Sequence, residues 1–378
     1  MYKISGDKIM IKKFSVKNFK NFKEVIEVDF AKTRDYEFKQ ELIKNELINK
    51  MLIYGKNNSG KSNLGAAMMD ITRHLTENRH QNILYEYYMC GDSVENSVDF
   101  KYEFIFKGRT IIYSYKKNSR AQLMYEELLV DNKLWFVYNY QTGKFENNIE
   151  EAITADLNKK TDIEMSALKF VYNNTLYWSD DNPFYLMMNF VNNMLWYRSL
   201  KGNEFMGIMN NGEDLNDFII NNHYVKKFND FLTECGQNYK LCEIEENFGK
   251  KVLGVQFKNG RARFDRIAST GTLTLWVYFY WMNRLQENKI SFMYLDEFDA
   301  FYNYELSVKI LNHVNEKNHF QSILTSHNTY LIDNEIMRPD CYAILKNGKL
   351  KTFAESTKKT IRQGHNLEKM MLGGEFED

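Results

Sequence analysis

The sequence predicts an α/β protein with a mixed central sheet, on three observations. The apolar run "KMLIY" at 50–54 leads into "GKNNSGKS" and then into a helical pattern. Two later runs, "KISFMYL" (289–295) and "HFQSILTS" (319–326), are strand-like and enclose a helical stretch. Strands that alternate with helices favour parallel β-α units, and unbroken apolar runs suit strands buried on both faces.

The elements follow in chain order. Residues 9–30, "IMIKKFSVKNFKNFKEVIEVDF", alternate apolar and polar side chains and read as two strands joined near Asn21. A helix is expected from Ser62 to about His80. Residues 98–117 and 121–139 alternate again, with Lys107-Gly108 and Asp131-Asn132 as turn signals, and predict an antiparallel β layer. From about 150 to 250 apolar residues fall three and four apart, which predicts an inserted helical lobe. After 250 strands and helices alternate once more, "DCYAILKNGKLKTF" (340–353) included. With only Pro183 and Pro339 in the chain and no Gly/Ser linker, the divisions 1–150, 151–250 and 251–378 rest on pattern alone.

At 378 residues the chain can bury a substantial core. Its 50 basic and 50 acidic side chains cancel, so no overall charge draws it to nucleic acid or anionic lipid. The opening "MYKISGDKIMIKKF" lacks the apolar centre of a signal peptide, and "LTLWVYFYWM" (273–282) is too short to span a bilayer. The 4 cysteines are scattered, which argues against a disulfide framework or structural zinc. A soluble cytoplasmic protein with no membrane partner is expected.

Gly55, Gly60, Lys61 and Ser62 fit G-x-x-x-x-G-K-[ST]. Glycines let successive N–H groups turn towards phosphate oxygens, and the following helix adds its positive end. The candidate nucleotide ligands are Gly55, Asn57, Asn58, Ser59, Gly60, Lys61, Ser62 and Asn63. Lys61 would reach the β- and γ-phosphates, and the Ser62 hydroxyl would ligate Mg²⁺. ATP and Mg²⁺ are the implied ligands.

"SFMYLDEFDAF" places Asp296 and Glu297 at the end of an apolar strand, the end that faces the ligand crevice in an α/β sheet. Asp296 suits a magnesium carboxylate, and Glu297 suits the base that orients the attacking water. Alone, two acids after a strand commonly mark a solvated turn; the phosphate loop upstream gives the pair its meaning. "SILTSHNTYL" repeats the design with His327, placed to hydrogen-bond the γ-phosphate.

These motifs, in this order, resemble the ABC-type ATPase heads of the SMC and RecF class. "IKKFSVKNFKNFKE" looks like that class's opening hairpin, and Ser269-Thr270-Gly271-Thr272 in "RIASTGTLTLW" resembles its signature motif. The resemblance implies a P-loop NTPase in which two subunits sandwich ATP, Ser269 and Gly271 completing the partner's site. It makes Asp299 the dimer-contacting acidic residue and implies a helix after the signature, where propensity alone fits a strand equally. Gln81 is a poor match for the class's nucleotide-linked glutamine.

Within the class the chain is similar to the AAA-type ATPases of bacterial anti-phage and abortive-infection systems, the RloA and AbiL group of PARIS- and Septu-type arrangements. The β layer and the tail "TIRQGHNLEKMMLGGEF", with Arg362, His365 and Asn366, carry that likeness. It implies a homo-oligomeric ATPase that senses a phage-derived trigger and regulates a separate effector, a nuclease or toxin. A RecF-like DNA-repair or chromosome-maintenance ATPase, with DNA as partner, is one alternative. A non-hydrolysing, nucleotide-stabilised scaffold is the other.

Overall fold

The computed structural model describes residues 8–77, 87–152, 165–198, 204–207, 214–246, 249–285, 290–317 and 319–376. β1 (Met10–Lys17) and β2 (Ile26–Asp29) pair antiparallel, every second side chain of β2 turned inward. The turn between them is pinned by reciprocal backbone bonds between Phe19 and Phe22. A short ribbon, β3 (Ile43–Lys44) with β4 (Leu47–Ile48), leads into β5 (Lys50–Tyr54), whose first four residues are all buried. α1 (Lys61–Leu75) follows.

β6 (Val98–Phe106), β7 (Arg109–Lys117), β8 (Leu123–Val130), β9 (Lys133–Asn139) and β10 (Phe145–Asn147) form the expected antiparallel layer. With β1 and β2 they make a seven-stranded sheet in the order β10-β9-β8-β7-β6-β1-β2. Its two tight hairpins have positive φ at both turn residues, Lys107 and Gly108 (47° and 76°), then Asp131 and Asn132 (51° and 61°). That conformation matches the right-handed twist of paired strands, which is why Gly and Asn sit there.

The segment expected as a helical lobe does more than that. α2 (Ala167–Asn173) and α3 (Pro183–Asn192) are helices, each opened by a side-chain cap, Ser166 and Asn182. β11 (Met194–Arg198) and β12 (Glu204–Gly207) then join the central sheet, so residues 151–250 are not helical throughout. All five residues of β11 are buried, as a strand between two covered faces requires. The expected helical pattern at 150–173 falls in part outside the described residues. α4 (Leu215–Asn221) and α5 (Val225–Glu234) precede a three-stranded sheet of β13 (Leu241–Glu245), β14 (Lys251–Phe257) and β15 (Gly260–Arg263).

After the short α6 (Phe264–Ile267) comes α7 (Thr270–Leu285), a helix and not a strand. Every residue from Leu275 to Met282 is buried, with Phe228 and Phe231 of α5 against Trp276, Tyr278 and Phe279. A helix apolar all round is stable when covered all round, and this packing overrides the strand propensity of its aromatics. No helix among the described residues is long and apolar enough to cross a membrane.

β16 (Phe292–Asp296), α8 (Tyr304–Glu316), β17 (Gln321–Ser326), β18 (Tyr342–Lys346), β19 (Lys349–Thr352), α9 (Phe353–Ser356) and α10 (Leu367–Leu372) complete the chain. The central sheet runs β12-β11-β16-β17-β5-β18-β19; its five inner strands are parallel and its two edges antiparallel. It is therefore a mixed sheet in an α/β protein of several sheets.

α1 is clasped between the two large sheets, which explains why nearly all of it is buried. On one side Tyr294 Oη donates to Lys61 O at 2.7 Å; on the other Tyr102 Oη donates to Ala67 O at 3.0 Å. Charged groups are enclosed on the second side. Asp70 accepts from Lys117 Nζ at 2.5 Å, Tyr115 Oη at 2.9 Å and Tyr88 Oη at 2.8 Å. Glu126 accepts from Tyr113 Oη, Tyr140 Oη, Ser166 Oγ and Leu168 N–H at 2.7–3.0 Å. Burial pushes the Lys117 and His74 pKa values down, against the pull of Asp70 in the case of Lys117.

Candidate nucleotide-binding site

The phosphate loop leaves β5 at Tyr54, and Gly55 N–H donates to Ser326 O at 3.3 Å, fastening it to the end of β17. Gly60 is required twice over. Its φ is 103°, and a Cβ there would lie 2.5 Å from Asn21 Nδ2 and 3.0 Å from Phe22 Cζ. Asn63 Nδ2 donates to Asn21 Oδ1 at 2.6 Å, so the β1–β2 turn braces the loop from outside. Asn57 and Asn58 are exposed at the bend, Asn58 with φ 65°. Lys61 is only 3% exposed. Its Nζ donates to Gly55 O at 2.6 Å and Lys56 O at 3.3 Å, and lies 3.6 Å from Glu297 Oε1.

The acidic pair ends β16. The Asp296 carboxylate accepts from the Ser62 hydroxyl and, at 3.0 Å, from Thr325 Oγ1 on β17. Burial pushes its pKa up; the two hydroxyls and the Arg198 charge hold it back. Glu297 takes left-handed backbone (φ 48°), uncommon outside glycine, and its N–H donates to Thr325 Oγ1 at 2.8 Å. One hydroxyl thus fixes both acids. His327 follows β17 directly and is exposed. Asp299 turns inward: it is buried, accepts from Ser326 Oγ at 2.7 Å, and burial raises its pKa. It presents no carboxylate on the surface.

Ser269 and Gly271 sit at the start of α7, apart from the phosphate loop. Ser269 Oγ caps the helix by accepting from Thr272 N–H at 3.2 Å and is otherwise exposed. A Cβ on Gly271 would stand 2.9 Å from Phe301 O, so this turn lies on the loop that follows Glu297. Gln81 lies outside the described residues.

One residue went unread in the sequence. Arg198 ends β11 in register with Asp296 on β16, is buried, and brings Nε to 3.8 Å from Asp296 Oδ2, its guanidinium over the Trp196 ring. The available signal was a lone basic residue closing the apolar run "MLWY". Because Arg198 restrains the raised pKa of Asp296, its loss lets protons compete with metal at higher pH. Arg198→Ala is expected to move the acid-side fall in Mg²⁺-dependent nucleotide binding to higher pH, read by calorimetry across pH. An unchanged profile would separate Arg198 from Asp296.

The residues fit a magnesium nucleotide. A Cβ on Gly55 would meet Ser59 Oγ at 2.4 Å and Leu345 O at 3.1 Å, so the loop is tight at this glycine, and Ser59 Oγ is itself buried without a partner. Among the described residues no group of three or more His, Cys, Asp and Glu could hold a metal. Magnesium shared between one hydroxyl, one carboxylate and substrate phosphates needs no such group.

No protein-family model matches the chain, and no curated protein matches it in sequence. Among solved structures it is similar to an SMC head domain from Thermotoga maritima, at 14% identity over 90% of this chain and 97% of that one, with a TM-score of 0.42. An SmcHead bound to the C-winged helix domain of ScpA gives 14%, 90%, 96% and 0.46. An Smc head domain with an extended coiled coil, bound to the C-terminal domain of ScpA derived from Pyrococcus furiosus, gives 12%, 91%, 96% and 0.45. The overlays are loose.

Proposed function

We propose that this chain is a magnesium-dependent ATPase of the ABC head type that closes ATP between two copies of itself and regulates a separate effector in anti-phage defence. The observation that carries the ATPase reading is the meeting of Lys61 and Ser62, at the start of the helix that follows β5, with Asp296 and Glu297 at the end of β16, two parallel strands with β17 between them: Lys61 lies within ion-pair reach of Glu297, and Ser62 hydrogen-bonds Asp296.

Loop N–H groups and Lys61 hold the phosphates, and Ser62 and Asp296 hold the metal, which neutralises charge on phosphate oxygens when bound. Glu297 orients a water and takes its proton as the water oxygen bonds to the γ-phosphorus. The bond to the β,γ-bridging oxygen breaks in line, and ADP leaves.

Support for the two-copy site lies in the exposed side chains near the candidate residues. Ser269 and His327 are exposed, and so are Phe301, Tyr304 and Tyr330, at 37%, 43% and 67%. A Cβ on Gly271 would stand against Phe301 O, and the Tyr304 and Tyr330 rings, three residues along from Phe301 and His327, lie 6.3 Å apart. Exposed aromatic side chains of this kind favour an interaction site. Ser269→Arg, at an exposed position, is expected to leave ATP binding intact and to cut steady-state hydrolysis at least about tenfold, since one transition-state contact is lost. Wild-type turnover in that variant would rule out the shared site.

The defence role is supported by the likeness of the β layer and tail to the RloA and AbiL group. It is tested by co-purification with the product of a neighbouring gene. Salt-sensitive, ATP-dependent binding to duplex DNA instead would establish the chromosome-maintenance alternative.

A further inference from the structure

Beside the phosphate loop a cleft of about 580 Å³ opens between three segments, with Asn21 of the β1–β2 turn also on its lining. The loop from Tyr54 to Ser59 forms one wall, the β18–β19 turn from Ile344 to Gly348 the second, and Met371, Leu372 and Phe376 the third. Leu372 is 68% exposed at the lip, an apolar side chain left in solvent next to a polar loop. Phe376 is fixed behind it, 3% exposed and 4.3 Å from the Phe353 ring.

We propose that this cleft takes the base and ribose of the nucleoside triphosphate whose phosphates the 55–62 loop holds, and that the C-terminal segment is the wall that recognises the base. The proposal rests on the phosphate-loop reading. The cleft begins at the N-terminal half of the same loop, so a nucleotide anchored by its phosphates at the start of α1 reaches it without a gap. The volume lies in the about 300–1,000 Å³ range of small-molecule sites. Its chemistry suits a nucleobase, which has apolar faces and hydrogen-bonding edges: Leu345, Met371 and Leu372 offer apolar surface, and Asn58 and Asn347 offer amides.

The third wall is held in place. Asn334 Nδ2 donates to Arg362 O at 3.1 Å and His365 O at 2.9 Å, and Asn366 caps α10 through Lys369 N–H. Glu368 accepts from Thr329 Oγ1 at 2.7 Å, two residues beyond His327. The wall of the nucleoside cleft and the strand end carrying His327 therefore share a frame. That gives the tail pattern a role its residues alone did not reveal.

The test is calorimetric titration of the full chain with magnesium ATP and with magnesium tripolyphosphate, which has the phosphates and no nucleoside. Wild type is expected to bind ATP at least about tenfold more tightly than tripolyphosphate, and Leu372→Asp to erase about that factor for ATP alone. Leu372→Ser, uncharged at the same exposed position, should move ATP the same way by less. Equal wild-type affinity for the two ligands overturns the proposal and leaves the phosphate loop standing. So does a Leu372→Asp variant that loses both ligands in parallel, or neither. Wild type that binds neither ligand overturns the phosphate-loop reading, and the cleft assignment with it.

Discussion

Glutamine at position 297 will stop turnover and leave ATP bound. The carboxylate of Glu297 lies 3.6 Å from Lys61 Nζ, beside the loop proposed to take the phosphates. Its backbone is locked by the Thr325 hydroxyl in a left-handed turn, so the side chain cannot retreat along the strand. Glutamine keeps the shape and the hydrogen-bonding reach but accepts no proton. Loss of a positioned base costs about 10²–10⁴-fold in rate, which sets the expected fall in steady-state hydrolysis.

Affinity for ATP should hold or rise, because one negative charge near the phosphates is gone. In a two-copy site the bound, unhydrolysed nucleotide should then accumulate as a dimer, visible by light scattering only when ATP is present. Lys61→Ala gives the opposite pattern, with no binding and no dimer. Normal hydrolysis by Glu297→Gln would remove Glu297 from the role of base. Negligible hydrolysis in both wild type and variant would favour the scaffold alternative.

What could be read in the chain was local. The phosphate loop, the acids at 296–297 and the histidine at 327 each follow an apolar run directly, and each stands at a strand end of the central sheet. Such signals sit within a dozen residues and need no knowledge of the partner strand. Arg198 was missed for the converse reason. Its strand has five residues, and its meaning depends on register with Asp296, far along the chain and on another element. The same holds for the cleft, whose walls come from near residue 55, near 347 and near 372. The helix after Ser269 was expected from the resemblance alone, since propensity fits a strand equally and the packing on α5 that decides it is non-local.

The buried charges behind α1 were also illegible, since Lys117 ends a strand pattern as a solvated lysine would. Lys117→Met is expected to destabilise the fold by about 3–5 kcal/mol, the cost of stripping one partner from a buried ion pair. Lys117 is 1% exposed and Asp70 fully buried, so no water replaces the lost ammonium. Asp70 would keep its bonds from Tyr115 and Tyr88, which places the loss nearer the lower figure. Asp70→Asn should also destabilise the fold, since it removes the charge that opposes the burial-lowered pKa of Lys117 and drives the buried ammonium to give up its proton.

The double variant should cost less than the sum of the two, because each single change leaves a buried group without its partner and the other change removes that group. Urea unfolding of the three variants measures this directly, and strictly additive costs would show that the two groups do not interact. ATP affinity is the informative companion. Lys61 and Ser62 are held at the first turn of α1 by Tyr294 and Asp296, on the side away from Lys117. A loss of stability with little change in ATP affinity is therefore expected, which would separate what anchors the helix from what reads the phosphates.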